Sequence, residues 1–388
     1  MIRAALWIGL GTALGLGAAF GCSGGNAREV ECSFGDEHVL AAARGRFDAI
    51  RAFTLGGGPA AAYSSSEGTY VQRLSPVGEA SGAPLRLGPA CPSGLDAIGL
   101  SDGGAVIACR RPALPHEGKA GAQSVIFLEE DLSVRERRSF GDVGPGSRGI
   151  TVAEHPAGQA VVAYFDAEKR AVFLAEITRG QPIEPRIVSR DGPTPAPPAL
   201  FVDGDRLLLT WAETITDPST NTLIGEVLVS DLSGAPRRFA SVLYDDAQPR
   251  LLRDDQGLVL AYRDENPAGS RVGLFVDRVD SRLTRANTPT RVGRSDAPSG
   301  VSLFPCAGGI YSVAAHTYGR REMLVGIARL DSTLASIAGE RQVYRAGARY
   351  EHGVGLCADN AALVLVANRA PSAAGEATVK AMTLRCER

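Results

Sequence analysis

Helical periodicity is almost absent from this 388-residue chain once its amino-terminal segment is passed. Apolar residues come in short blocks or alternate with polar ones, bounded by Gly, Pro, Asp and Ser. That pattern excludes helical and alternating α/β architectures and predicts an all-β chain. Charge of one sign is also lacking. The 41 basic and 43 acidic residues nearly cancel, and no run of like charge exceeds three. The basic stripe that nucleic-acid binding needs is therefore missing, and no nucleic acid is expected as a partner. No Cys-x-x-Cys and no Cys/His pair at ligand spacing occurs, which removes zinc and haem attachment; neither metal nor cofactor is expected. A Gly-x-Ser-x-Gly elbow is missing too, and His38, His116, His155, His316 and His352 lack the neighbours of a triad. No catalytic residue is assigned. Residues 144–149 fit Gly-x-Gly-x-x-Gly, yet a strand pattern follows them where a dinucleotide site needs a helix. Asp203-Gly204-Asp205 reads as a hairpin turn, since the other ligands of a calcium loop are missing.

One long apolar stretch is present, at residues 1–21. Arg3 gives it a positive start, while Gly9, Gly11, Gly15 and Gly17 break it and no stop-transfer flank follows. It reads as an export signal rather than a permanent membrane helix. Ala18-Ala19-Phe20-Gly21-Cys22 resembles bacterial lipoprotein signals, although Ala19 replaces the usual Leu and Phe20 is bulkier than usual. The resemblance implies cleavage after residue 21, acylation of Cys22 and a flexible tether over residues 22–28. Ser23 after the cysteine implies sorting to the outer membrane of a Gram-negative bacterium. An ordinary secretory signal with a chance cysteine is the other open reading.

Six cysteines then remain: Cys32, Cys91, Cys109, Cys306, Cys357 and Cys386. An even number in an exported chain predicts three disulfides. The same unit also recurs along residues 29–388. A strongly apolar second strand falls at residues 59–63, 105–109, 160–164, 207–211, 258–261, 311–315 and 362–367. A polar loop, a third strand, a turn and a short fourth strand follow each. Seven such units predict a single seven-bladed β-propeller of four-stranded antiparallel blades. Six or eight blades stay open if one strand is assigned differently, and two β-sandwiches are the alternative architecture. Tyr63, Tyr164, Trp211 and Tyr262 recur at or just past the end of the second strand and are expected between blades. The repeat pairs Cys91 with Cys109, and Cys306 with Cys357. Residues 29–34 are expected to complete the last blade, with Cys32 bonded to Cys386.

The marks of WD, kelch, sialidase and quinoprotein propellers are missing. Residues 60–78 run as an apolar strand ending in an aromatic, a loop, Val71-Gln72-Arg73-Leu74 and a turn with Gly78. They resemble propeller lipoproteins of soil proteobacteria, myxobacteria above all, a resemblance that carries no defined catalytic residues. Long loops follow the second strands at residues 110–123, 212–221, 263–271, 316–322 and 368–376, on one expected face. Arg110, Arg111, Arg263, His316, Tyr318, Arg320 and Arg321 are the candidate ligand-binding residues there. The expected function is a non-catalytic envelope lipoprotein that binds or scaffolds a protein or glycan through that face. The alternative is a secreted, polysaccharide-directed hydrolase or lyase, since propellers host such enzymes around their channel. A third reading is an assembly factor similar to the propeller lipoprotein of the β-barrel assembly machine, whose repeat marks are not evident.

Overall fold

Short strands joined by tight turns pair first with their sequence neighbours, because closing a small loop loses the least chain entropy. The computed structural model describes residues 31–111, 121–144, 147, 149–178, 180–190, 194–195, 197–216, 223–242, 247–266, 271–292, 298–318, 322–343, 349–370 and 375–387. Within them the chain forms seven antiparallel sheets, whose strands follow one another in sequence except at the outer edge of blade 7. Blade 1 is Phe47–Leu55, Gly58–Ser65, Gly68–Leu74 and Ala80–Gly88. Blade 2 is Gly94–Gly99, Ala105–Arg111, Ala122–Leu128 and Val134–Phe140, and blade 3 is Ile150–Glu154, Ala160–Asp166, Ala171–Ile177 and Arg186–Ile187. Blade 4 is Ala199–Asp203, Arg206–Thr216, Leu223–Ser230 and Arg237–Val242, with Thr194–Pro195 added beside the second strand. Blade 5 is Arg250–Asp254, Gly257–Asn266, Arg271–Val279 and Thr290–Val292. Blade 6 is Pro298–Cys306, Gly309–Tyr318, Glu322–Leu330 and Ser336–Val343, and blade 7 begins Arg349–Ala358, Ala361–Arg369 and Glu376–Glu387.

First strands of successive blades touch one another in order, and that of blade 7 touches that of blade 1. This is a closed ring, a seven-bladed β-propeller, and it excludes two sandwiches. The amino-terminal part of the chain completes blade 7. Expected over residues 29–34 alone, the closing strand runs in two pieces, Glu31–Phe34 and His38–Arg44, both antiparallel to Glu376–Glu387. Cys32 stands directly opposite Cys386, and the two are bonded with Cα atoms 4.0 Å apart. Cys91–Cys109 and Cys306–Cys357 form the other two disulfides.

Burial of apolar faces between blades holds the ring. Tyr63, Tyr164, Trp211 and Tyr262 are at most 4% exposed. Three of them oppose an aromatic on the third strand: Tyr63 with Tyr70, Tyr164 with Phe173 and Tyr262 with Phe275, at 5.6, 5.3 and 6.2 Å between ring centroids. From the fourth strand of the preceding blade, Phe140 meets Tyr164 and Phe239 meets Tyr262, each at 6.2 Å. Such contacts add to the burial itself, which contributes roughly 2–3 kcal/mol per large side chain.

The turns between third and fourth strands share a device. Asp131, Asp231, Asp280 and Asp331 each accept a backbone N–H two residues on, an Asx turn. Leu132, Leu232, Leu283 and Leu334 then take φ of 71°, 64°, 62° and 66°. A left-handed leucine costs about 1–2 kcal/mol. Burial offsets it, since Leu283 and Leu334 are 2% and 4% exposed. The far ends of the first strands are fastened blade to blade. Gly56 N donates to Gly103 O at 2.8 Å, and Ser101 donates to Glu154 through both N and Oγ at 2.8 Å. His155 Nε2 donates to Asp205 O at 2.9 Å, Arg253 grips Asp203, and Cys306–Cys357 is the covalent counterpart between blades 6 and 7.

Candidate functional site

Cations at the ends of second strands were the sequence's candidates for a ligand-facing loop. Arg110 is instead 0% exposed and Arg263 is 5% exposed. Arg110 is packed against blade 3, where its Nη1 donates to the carbonyls of Phe165 and Gly149, and its guanidinium lies 5.0 Å over the Tyr164 ring. Burial pulls that guanidinium down to about 10, while Asp166 and Tyr164 oppose the shift. The Arg263 backbone N–H donates to Ala247 O at 2.7 Å. Arg111 ends its strand half-buried. His316 and Tyr318 lie on the second strand of blade 6, and their side chains fall outside the described residues. Arg320, Arg321 and Cys22 lie outside them altogether. The structure thus assembles no single site from this set among the described residues.

A second cluster of charge lies between blades 3 and 4. Glu213 and Glu226 stand opposite each other on neighbouring strands, and Arg190 bridges them at 2.5 and 2.8 Å. Trp211 Nε1 donates to Glu213 at 2.8 Å. Two carboxylates at cross-strand distance suit glycoside chemistry in principle. Here Glu213 is 0% exposed and Glu226 is 5% exposed, so a sugar could not reach them. The cluster anchors the incoming chain to blade 4.

The open concavity is the channel. First strands line the axis of a propeller, and here they enclose a cavity of about 260 Å³ with wall residues from all seven blades. Its polar side chains are Arg51, Asp96, Thr151, Arg250, Ser302 and His352. Several link one first strand to the next. Arg51 Nε donates to Asp96 Oδ1 at 2.9 Å, and Val152 N donates to Asp96 Oδ2 at 2.9 Å. Leu200 N donates to Thr151 Oγ1 and Gly355 N to Ser302 Oγ, both at 3.3 Å. His352 Nε2 donates to Phe47 O at 3.1 Å.

The wall thus brings a carboxylate, two guanidiniums and an imidazole around one cavity. Burial pulls the His352 imidazole down to about 4, and the Arg51 and Arg46 charges push the same way against the Phe47 bond. The ring is neutral at pH 7. Asp48 sits on the bulge at the start of the blade 1 first strand, 3.2 Å from Arg46. Burial pushes its carboxyl up even though Arg46 pulls it down. None of these groups was singled out in the sequence as a channel residue. The available signal was one or two charges inside an otherwise apolar first strand, as in Phe47-Asp48-Ala49-Ile50-Arg51 and Leu95-Asp96-Ala97-Ile98. Among the described residues no group of three or more His, Cys, Asp or Glu is placed to hold a metal ion.

No family model matches the sequence, and no curated protein matches it. Solved structures do match in shape. The α-L-arabinanase of Penicillium chrysogenum, complexed with arabinobiose, aligns over 74% of this chain and 92% of its own, with a TM-score of 0.51 and 12% identity. The α-L-arabinofuranosidase of Lactobacillus brevis aligns over 60% of this chain and 89% of its own, with a TM-score of 0.40 and 8% identity. The Dos1 propeller aligns over 87% and 77%, with a TM-score of 0.47 and 10% identity. At these identities the likeness shows the fold, a β-propeller. It also corrects the functional expectation. Of these three the arabinanase alone exceeds a TM-score of 0.5, and its name is that of an enzyme; this favours the hydrolase alternative, taken up below as a proposal, over the non-catalytic scaffold expected from the sequence.

Proposed function

We propose that this chain is an exported propeller hydrolase acting on polysaccharide at the mouth of its central channel. The observation that carries the reading is the convergence of Arg51, Asp96, Arg250 and His352, from four blades, on one concave cavity. A rigid pocket with a few convergent polar groups is the usual setting of a small-molecule site. Likeness in fold to an arabinanase supports the hydrolase class over other uses of such a pocket.

Glycoside hydrolysis needs two carboxyl groups, one protonated and one ionised. In this reading Asp48, which lies on the blade 1 first strand two residues before the wall residue Ile50 and not in the wall itself, is the candidate acid: its carboxyl, pushed up by burial, gives its proton to the leaving glycosidic oxygen. Asp96 takes a proton from water as the water oxygen bonds to the anomeric carbon and the carbon–oxygen bond breaks.

The cellular setting is part of the proposal: a signal over residues 1–21, acylation at Cys22, a tether over 22–28 and the propeller over 29–388, held at the outer membrane. The lipoprotein-like signal and three disulfides, bonds that persist in oxidising compartments, support it. Envelope or environmental glycan is then the partner. Release of reducing ends from arabinan, xylan and uronate-containing polymers tests the reading. Asp96→Asn and Asp48→Asn should each lower kcat by about 100-fold or more, with unfolding midpoints measured alongside, since Asp96 also pairs with Arg51 across blades. Absence of release from every polymer by the wild-type protein, or full activity in the double variant, ends the proposal.

A further inference from the structure

The rim of the channel is uneven. Each wall residue of a first strand has a partner on the second strand of its blade. The run of second strand beyond that partner measures how far the blade rises above the cavity. In blade 1 the wall residue Arg51 pairs with Ala62, and the second strand ends three residues on, at Ser65. Blade 2, from Asp96 and Ala108 to Arg111, and blade 3, from Thr151 and Ala163 to Asp166, also rise by three residues. Blade 7, from Gly353 and Val366 to Arg369, does the same. Blade 4 runs seven residues past Leu209, the partner of wall residue Leu200, to Thr216. Blade 5 runs six past Leu260, the partner of Leu251, to Asn266, and blade 6 five past Val313, the partner of Ser302, to Tyr318. At about 3.3 Å per residue, the second strands of blades 4 and 5 reach roughly 10–13 Å further than that of blade 1.

The tall hairpins are braced where they leave the ring. Thr194–Pro195 pairs with Thr214 and Glu213, Val242 faces Gly225 on the other side, and Arg190 bridges Glu213 and Glu226. In blade 5 the Arg263 backbone N–H is held by Ala247 O at 2.7 Å. A two-stranded ribbon alone is marginally stable in water, so this bracing makes a wall of them. Three steps around the ring from both, the blade 1 hairpin closes in a two-residue turn between Ser65 and Gly68.

We propose that the channel takes the end of a saccharide chain, which comes in over blade 1 and stops against blades 4 and 5, so that the protein trims polymers from their ends. The inference rests on the reading of the channel as a saccharide site. A chain held by its middle must leave the site on both sides. From blade 1 a chain crossing the axis meets blades 4 and 5, and from blade 2 it meets blades 5 and 6. The cavity beneath measures about 260 Å³, at the small end of ligand pockets. That is room for a terminal unit or two and not for a run of chain. Water remains the co-reactant, and only the position of the broken bond along the polymer is specified further.

Product sizes and viscosity of linear arabinan and xylan, followed with the full mature chain, test this. Wild type should release one or two sugars at a time while viscosity stays nearly unchanged. Replacing residues 215–224 and 265–272 each by Asn-Gly lowers both hairpins by two residue pairs, roughly 7 Å, and keeps Arg190, Glu213, Glu226 and Arg263. That variant should release longer products and lower the viscosity several-fold faster at equal release of reducing ends, with its unfolding midpoint measured alongside. Long mixed products and an early fall in viscosity from wild type, or unchanged products from the folded variant, overturn the inference and leave the hydrolase reading standing. If the variant does not fold, the wild-type products decide alone. No release from any polymer ends the hydrolase reading. Titration of wild type with linear arabinan fractions of increasing length then decides, since an end-binding site takes one protein per chain at every length. Binding capacity that grows with chain length, or no binding, overturns the inference there too.

Discussion

Replacing Cys32 and Cys386 together by serine opens a covalent ring whose ends lie 354 residues apart in sequence. The Cys91–Cys109 disulfide spans only 18 residues. In the chain-entropy account a cross-link stabilises by restricting the unfolded chain, and the effect grows with the logarithm of the loop. The long loop then contributes about 6 kcal/mol and the short one about 3 kcal/mol. For a cooperative unit of this size the unfolding entropy is about 0.7 kcal/mol/K, so the midpoints should fall by ~8 °C and ~4 °C. The native side favours the same order. Cys32 faces Cys386 in register on paired strands, and serine leaves that ladder intact, so the difference between the two double variants reports mainly on the unfolded chain. Calorimetry with urea titration of the two double variants, each retaining its other disulfides, checks the ranking. If Cys91→Ser/Cys109→Ser costs as much as Cys32→Ser/Cys386→Ser, or more, closure of the ring by the amino-terminal strand is not the main covalent brace.

Other expectations follow from single groups. His352 is buried neutral with its imidazole pulled down to about 4 from 6.5. The unfolded chain therefore binds a proton first, and stability is full above about 6.5 and falls as pH drops toward 4. The loss should be on the order of 3 kcal/mol. Urea titrations across this window should show the slope, and His352→Gln should flatten it; an unchanged slope would assign the effect elsewhere. Arg190→Ala leaves Glu213, 0% exposed, without its charge partner. Because Arg190 is itself 40% exposed and Glu213 keeps its bond from Trp211, the loss should be about 1–3 kcal/mol at pH 7, and no measurable loss would show the pair to be inert. Leu334→Ala keeps the left-handed strain and loses the burial, whereas Leu334→Gly relieves the strain, so alanine should be the worse by about 1 kcal/mol in the same titration.

Much of the ring was legible because each blade rewrites one pattern. A run such as Ala160–Asp166 has no polar break, as a strand covered on both faces requires, and the aromatic that follows recurs where blades meet. Cysteine positions within the repeat then set which strands lie side by side. His38–Arg44 was missed because His-Val-Leu-Ala-Ala-Ala-Arg carries little β-branching and follows Asp36-Glu37, the composition of a loop. The site was hardly legible at all. Arg110 and Arg263 looked like loop cations because their strands run on past the last apolar side chain, to Arg111 and Asn266, and sequence does not show the neighbouring blade that covers them. Arg51 and Asp96 are 45 residues apart in sequence and become a pair only when blades 1 and 2 stand side by side. Membership of the channel wall depends on which strand is innermost, and nothing local in the chain marks that.

Among the described residues the closing strand begins at Glu31, one residue before the cystine that joins it to the last strand. A pull on the residues that precede it is carried across at Cys32 before any ladder hydrogen bond beyond that point is loaded. Tension from a tether would therefore act on a covalent bolt near the rim, and the strand could not be peeled from its outer end like a zip. If the chain is held by its front end, the ring can be dragged, twisted or pressed by a bulky glycan without the mooring becoming the place where it comes undone.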